Sequence, residues 1–189
     1  DSSALSDDLP DSIGRLAELI GGDPMAALDS DMAAVLAMQA QLGARALEQL
    51  TPTDARRQPR ARDAIAALLA QQERPAVVDD DVETEDLMVA GGDGEIAARL
   101  YRPAGLHERL NPMVLYFHGG GFVTGDLDSH DASARALARR SGAMVLSLNY
   151  RLAPEHGLPS AHEDAWAAWS WLSQQAHRLG GDPRRVAVA

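Results

Sequence analysis

The sequence predicts an α/β protein with a mostly parallel sheet, an antiparallel hairpin at the start of that sheet, and a helical region before it. Three observations predict this class. Apolar residues recur at helical spacing before residue 75 and at strand spacing after it. A glycine-rich turn joins two alternating segments, at residues 82–89 and 96–102. Two short apolar runs, at residues 113–117 and 143–148, flank a helical pattern, which is typical of a parallel β-α-β unit.

The N-terminal helical region has three features that predict short helices. Residues 13–20 and 32–42 each carry an amphipathic stripe. Thr51 followed by Pro52 is a good helix start, and Pro59 should interrupt the helix that follows. Short helices bury little apolar surface on their own, so we interpret residues 1–75 as a cap or lid that needs another surface.

The later elements alternate between strand and helix. After the strand at 113–117 we expect a helix at 129–140, a strand at 143–148 and a long helix that opens at Ser160, where Glu163 completes capping-box spacing. Trp166 and Trp169 fall on the predicted apolar stripe of that helix, and a further strand begins near residue 186. This order predicts right-handed crossovers and helices on both faces of the sheet.

Composition excludes several kinds of chemistry. The net charge is −11, all 17 basic residues are arginine, and cysteine is absent. Without lysine the chain cannot form a Schiff base with pyridoxal phosphate or a phosphate-loop site, and without cysteine it has no disulfide or thiolate. The acidic charge disfavours nucleic acid as a partner. No apolar run is long enough for a membrane span, and no secretion signal is visible, so we expect a cytoplasmic location.

The strongest local feature is the run of three glycines, Gly119, Gly120 and Gly121, between His118 and Phe122. Glycines directly after a buried strand suit a backbone whose N–H groups converge on one anionic oxygen. A flexible surface loop is the structural alternative. A phosphate loop is disfavoured because Asp126 and Leu127 stand where its lysine and hydroxyl residue belong.

The acids that follow suggest a metal site only weakly. Asp126, Asp128, His130 and Asp131 resemble the start of a calcium loop but lack its glycine, so we expect no metal. Capping of a helix by Asp128 or Ser129, with Asp131 in the first turn, explains them more simply. Read alone, the later run Tyr150-Arg151 with Glu155 predicts a structural salt bridge and a buried tyrosine hydroxyl.

Taken together, these motifs resemble the hormone-sensitive lipase family of α/β-hydrolase esterases. The resemblance covers roughly residues 30–189 and is carried by HGGGF at 118–122, Gly125-Asp126, YRLAPEH at 150–156 and Glu163-Asp164. It implies a serine carboxylesterase without a cofactor, acting on a small-molecule ester. Residues 76–189 would be the first half of its catalytic domain. The implied site residues are the oxyanion-hole glycines Gly119 and Gly120, the supporting residues His118, Gly121, Tyr150, Arg151 and Glu155, and Phe122 at the acyl pocket.

The resemblance also implies that this chain lacks the catalytic triad. No G-x-S-x-G sequence occurs in the 189 residues, and the strand beginning near residue 186 would lead into the nucleophile turn. We therefore expect the Ser, the acid and the His in a C-terminal half that acts as the partner of this chain. The sequence leaves one alternative function open, a non-catalytic small-molecule-binding module of the same fold. It also leaves open whether the protein forms a homo-oligomer.

Overall fold

The computed structural model describes residues 28–75, 81–106 and 110–189. The chain divides into two compact units, Asp1–Ala76 and Val77–Ala189. The predicted helical stripe at residues 13–20 lies outside the described residues. No helix in the described part of the chain is long and apolar enough to cross a bilayer.

The first unit is helical where it is described. Its helices are α1 (Ser30–Gln41), α2 (Pro52–Arg57) and α3 (Ala61–Gln71), with a 3-10 turn at Leu47–Gln49. The hydroxyl of Thr51 caps α2 by accepting a hydrogen bond from the Asp54 N–H at 3.2 Å, and Pro59 lies in the break between α2 and α3. Met38 and Ala64 are its buried apolar residues in the described range. The interpretation of this unit as a cap stays a prediction.

The second unit is built on a five-stranded mixed sheet. Its strands are β1 (Val82–Gly91), β2 (Gly94–Pro103), β3 (Asn111–Phe117), β4 (Met144–Leu148) and β5 (Gly181–Val188). They lie in the order β1-β2-β4-β3-β5. The β1–β2 hairpin is antiparallel, β2 pairs antiparallel with β4, and β3 runs parallel to both β4 and β5. The predicted α/β class with its initial hairpin is confirmed.

Two helices, α4 (Asp131–Ser141) and α5 (Leu158–Leu179), cover opposite faces of this sheet. Alternate residues of each strand supply the two cores, because successive side chains in a strand point to opposite faces. Leu100, Leu115 and Leu146 pack with Ala168 and Leu172 of α5. Their strand neighbours Tyr101, Val114 and Val145 pack with Ala134 and Ala138 of α4.

Several predicted boundaries were wrong. Helix α5 begins at Leu158 with Gly157 as its N-cap, so Ser160 lies inside the helix and its capping-box spacing is not used. Pro159 is tolerated in the first turn because the N–H it lacks would have no partner there. Helix α4 begins after His130, not at Asp128 or Ser129. Strand β5 begins five residues before the predicted position, with an irregular register against β3.

Of the two tryptophans predicted on the apolar stripe of α5, Trp169 packs against the core and Trp166 does not. The buried stripe runs through Ala161, Asp164, Ala168, Leu172 and Ala176. Trp166 is two residues beyond Asp164, about 200° around the helix. Its side chain is accordingly 73% exposed.

Candidate functional site

The loop after β3 has a backbone that only glycine accepts easily. The φ angles are +134° at Gly120, +61° at Gly121 and +97° at Gly125, in the range where a Cβ is disfavoured. A Cβ on Gly120 would also overlap the carbonyl oxygen of Thr124, whose N–H donates back to the Gly120 carbonyl at 2.9 Å. Glycine at position 120 is therefore required by conformation and by space.

Phe122 shares this unusual backbone without being glycine. Its φ is +62°, and a bulky residue in the left-handed region is a genuine outlier that the surroundings must stabilise. The carbonyl of Phe122 accepts a hydrogen bond from the Ala153 N–H at 2.8 Å. The loop after β4 thus braces the glycine loop after β3.

The N–H groups of Gly119 and Gly120 are free in the part of the chain that the structure describes. No hydrogen bond from either group to a described residue occurs, although the carbonyls of the same two residues are both bonded. Both glycines line a cavity of about 390 Å³. Two consecutive peptide donors in residues that line a cavity are suited to bind one oxygen anion.

Tyr150 holds the start of the glycine loop. Its hydroxyl donates a hydrogen bond to the His118 carbonyl at 2.6 Å, and its ring stacks on the His118 imidazole with centroids 4.4 Å apart. Burial, followed by the nearby Tyr116, raises the pKa of Tyr150. The hydroxyl therefore remains a donor at neutral pH.

His118 is buried and neutral. Its Nδ1 lies 2.9 Å from the Gly119 carbonyl, which can only accept, so Nδ1 carries the proton. Burial is the main cause that lowers the pKa of His118, and His130 lowers it further, whereas the Gly119 carbonyl and Asp126 raise it. Its Nε2 has no hydrogen-bond partner among the described residues. Protonation would place an unpaired donor there, in agreement with a neutral ring.

Arg151 pairs with Asp164 of α5. The Asp164 carboxylate is fully buried and lies 2.8 Å from one guanidinium nitrogen of Arg151 and 3.0 Å from another. It also accepts hydrogen bonds from the backbone N–H groups of Arg151 at 2.9 Å and Gly92 at 2.8 Å. The site prediction grouped Glu155 with Arg151, but Glu155 is exposed. The carboxylate that binds Arg151 is that of Asp164 in α5.

The cavity itself has aromatic walls. Phe117, Phe122, Tyr150 and His162 line it together with the glycine loop. Phe122 is 42% exposed, stacks on His162 with centroids 5.7 Å apart and presents an edge to Tyr150 at 6.4 Å. Neither Arg151 nor Glu155 lines the cavity. The predicted supporting residues therefore divide into those that line it and those that do not.

The acidic residues after the loop do not gather into a metal site. Asp126 and Ser129 exchange hydrogen bonds between side chain and backbone, while Asp128 and Asp131 pair with Arg99 at 3.0 and 3.2 Å. Among residues 28–75, 81–106 and 110–189, no group of three His, Asp or Glu side chains could hold a metal ion. The carboxylates of Asp128 and Asp131 neutralise arginine instead.

Asp164 is the residue that we did not predict as part of this arrangement. The signal for it was present, because an acid stands among Ala161, Ala168 and Leu172 on the core face of an amphipathic helix. A carboxylate in such a position must have charged or hydrogen-bonding partners nearby. The sequence does not identify those partners, since Gly92 is 72 residues away along the chain.

Comparison with known proteins places the fold among α/β hydrolases. Residues 114–189 match a family profile described as the alpha/beta hydrolase fold. Esterase LipI of Mycobacterium tuberculosis is 50% identical over 105 residues, which cover 55% of this chain and 33% of that protein. Carboxylesterase NlhH of the same organism is 45% identical over 125 residues, covering 65% of this chain and 39% of that protein.

Solved structures of esterases are also similar to this chain. A thermostable carboxylesterase cloned from a metagenomic library gives a TM-score of 0.62 at 41% identity and covers 74% of this chain and 45% of that one. An esterase from the archaeon Pyrobaculum calidifontis gives 0.64 at 32% identity, covering 85% and 48%. The chain therefore spans about a third of the length of these curated relatives and just under half of these solved structures.

Proposed function

This chain belongs to the hormone-sensitive lipase-like esterases of the α/β-hydrolase fold, and from that premise we propose that it forms the oxyanion-binding part of a serine carboxylesterase. The observation that carries the proposal is the pair of consecutive N–H groups, Gly119 and Gly120, at the cavity. The names of the relatives, LipI and NlhH among them, support ester hydrolysis as the reaction.

In the proposed mechanism an ester lies in the aromatic cavity with its carbonyl oxygen at the two N–H groups. A serine outside these 189 residues attacks the carbonyl carbon, and a histidine takes the serine proton. The carbonyl oxygen becomes negatively charged as the tetrahedral intermediate forms, and the Gly119 and Gly120 N–H groups stabilise that charge. One such donor is worth about 2.7–4 kcal/mol of barrier.

The intermediate then collapses and the alcohol leaves with the proton held by the histidine. Water hydrolyses the resulting acyl-enzyme by the same steps and releases the carboxylic acid. The reaction needs no cofactor. Phe122 and Tyr150 contribute apolar walls for the substrate, and the nucleophile, its base and the orienting acid belong to the C-terminal half that we propose as partner.

The proposal is tested by changing Gly120 in the full-length protein. Gly120→Ala adds a Cβ that overlaps the Thr124 carbonyl at a φ of +134°, so the donor must move. We expect kcat for p-nitrophenyl butyrate to fall at least about 10²-fold. Gly142→Ala is the matched control, because Gly142 also has a positive φ, +65°, but open space around it at the end of α4.

Two results would contradict the proposal. Equal kcat values for Gly120→Ala and wild type would exclude a role for this loop in stabilising the oxyanion. A wild-type protein that binds an apolar ester without hydrolysing it would instead support the non-catalytic binding module.

A further inference from the structure

Tyr150 contacts the proposed oxyanion site through a peptide group. Its hydroxyl hydrogen-bonds the His118 carbonyl, and that carbonyl belongs to the same planar peptide group as the Gly119 N–H. In a trans peptide the C=O and N–H bonds point in opposite directions. A hydroxyl that fixes the carbonyl on one side of the loop therefore fixes the direction of the N–H on the other side.

We propose that Tyr150 is a positioning residue of the oxyanion hole, which orients and polarises the Gly119 N–H through the His118 carbonyl. The inference rests on the proposed function and identifies how the Gly119 N–H, one donor of the proposed oxyanion hole, is held in place. A hydrogen bond at a carbonyl draws electron density from the amide nitrogen and makes its N–H a stronger donor, by roughly 10–30% in condensed-phase estimates. Tyr150 itself does not touch the reacting atoms.

The next peptide group is arranged in the same way. The Nδ1–H of His118 donates to the Gly119 carbonyl at 2.9 Å, and that carbonyl shares a peptide group with the Gly120 N–H. The imidazole is held between the rings of Tyr150 and His130, with centroids 4.4 and 5.3 Å away. Tyr150 thus acts on the first donor through its hydroxyl and on the second by holding the His118 ring.

The structure also holds Tyr150 in place. Its neighbour Arg151 is bound to the buried Asp164 through both backbone and guanidinium. On the other side, the N–H of Asn149 donates to the Ala97 carbonyl of β2 at 2.9 Å. The tyrosine therefore lies between two anchored residues, and its hydroxyl is held by contacts outside the glycine loop.

Tyr150→Phe in the full-length protein tests this inference, because it keeps the contacts of the ring with Phe117, His118 and Phe122 and removes only the hydroxyl. We expect kcat for p-nitrophenyl butyrate to fall about tenfold with KM within about twofold, since the lost interaction matters mainly in the transition state. The inhibition constant of a trifluoromethyl ketone, which forms a tetrahedral adduct, should rise by the same factor. The ¹⁵N chemical shift of Gly119 should move upfield in the free protein.

Tyr101→Phe is the matched control. Tyr101 is another buried tyrosine, and its hydroxyl donates to Asp131 at 3.0 Å on the α4 face, away from the cavity. This variant should lower the melting temperature and leave kcat and the Gly119 shift unchanged. Equal losses of kcat in the two variants would reduce Tyr150 to a structural role and overturn the inference.

The measurements separate failure of the inference from failure of the proposed function. An active wild type whose kcat, inhibition constant and Gly119 shift survive Tyr150→Phe would overturn the positioning role alone. A wild type without esterase activity would overturn the proposed function. A Gly119 shift that still moves in Tyr150→Phe would then support the coupling between hydroxyl and peptide group.

Discussion

Each face of the sheet carries an aspartate bound by arginine, and the two aspartates differ in burial and in their donors. On the α5 face, Asp164 is fully buried and accepts from the backbone N–H groups of Gly92 and Arg151 as well as from the Arg151 guanidinium. On the α4 face, Asp131 is 28% exposed. Its described donors are the side chains of Tyr101, Arg99 and Arg135.

The difference has a structural consequence. Asp164 connects three segments through their backbones: the hairpin turn at Gly92, the loop at Arg151, and α5 itself. Asp131 connects side chains at a rim that water reaches, and Arg99 retains Asp86 and Asp128 as partners at 2.6 and 3.0 Å. An ion pair that binds backbone donors fixes loop positions, whereas one that binds side chains can be replaced by solvent.

The largest effect is expected from Asp164→Ala. Loss of this carboxylate leaves two backbone N–H groups without their acceptor, and the Arg151 guanidinium keeps only the longer contacts with the Ser160 carbonyl at 3.3 Å, Glu163 at 3.4 Å and Asp93 at 3.8 Å. We expect the free energy of unfolding to fall by about 3–5 kcal/mol, measured by urea unfolding of the full-length protein. Asp164→Asn keeps one acceptor oxygen, so its free energy of unfolding should fall by less. A loss for Asp164→Ala no larger than that for Asp131→Ala would remove the distinction between the two clusters.

Asp131→Ala should have a smaller effect. Arg99 keeps two other carboxylates, and Arg135 keeps its hydrogen bond to the Val82 carbonyl at 2.8 Å. We expect the free energy of unfolding to fall by about 1 kcal/mol, chiefly from the Tyr101 hydroxyl that loses its acceptor. Urea unfolding of Asp131→Ala and Asp164→Ala under the same conditions measures the two losses. An Asp131→Ala loss above 3 kcal/mol would mean that this cluster is also an anchor.

The smallest effect is expected on the decrease of stability at acidic pH. Burial raises the pKa of Asp164, but hydrogen bonds from the Arg151 side chain, the Arg151 N–H and the Gly92 N–H outweigh it and lower the pKa below its usual 3.8. The pKa of Asp131 is also lowered, since Arg135, Tyr101 and Arg99 outweigh burial. A carboxyl group with a lower pKa in the folded state stabilises the protein above its unfolded pKa, and that stability is lost as pH falls through the folded value.

Melting temperatures measured between pH 6 and pH 3 test this sign. Stability should change little above pH 5 and decline below about pH 4. Asp164→Asn and Asp131→Asn should each make the decline shallower than in wild type. A decline of unchanged steepness in both variants would show that other carboxyl groups, such as Asp86 and Asp182, whose pKa values are also lowered, account for it.

The sequence was sufficient to predict most of the sheet but not its boundaries. Period-2 alternation around a glycine turn identified the hairpin. Short apolar runs identified β3 and β4, because a strand that is buried on both faces is apolar along its length. β5 was placed too late because Asp182 and Pro183 are poor strand residues. The strand begins earlier because Gly181 pairs with Asn111 of β3, ahead of an irregularity in the register that contains Asp182 and Pro183; local propensity does not record such a tertiary interaction.

The glycines of the candidate site could be predicted from the sequence, but the hydrogen-bond partners of Arg151 and Tyr150 could not. Three glycines after a buried strand identify an unusual backbone by residue type alone. The partner of Arg151 is 13 residues away on a helix, while Glu155 is nearer in sequence and not its partner. The Tyr150 hydroxyl binds a backbone carbonyl 32 residues away, and no side-chain pattern marks a carbonyl as an acceptor.

The place of the cavity follows from the strand order and the two helices. β3 and β4 are adjacent parallel strands, yet α4 follows β3 on one face and α5 follows β4 on the other. The connections leaving their carboxyl ends diverge, and a crevice opens at this topological switch point whatever side chains surround it. Phe122 and Tyr150, one from each connection, line the cavity found there. Connectivity therefore determines where the cavity forms, so that substitutions in the lining can alter its shape and polarity without relocating it.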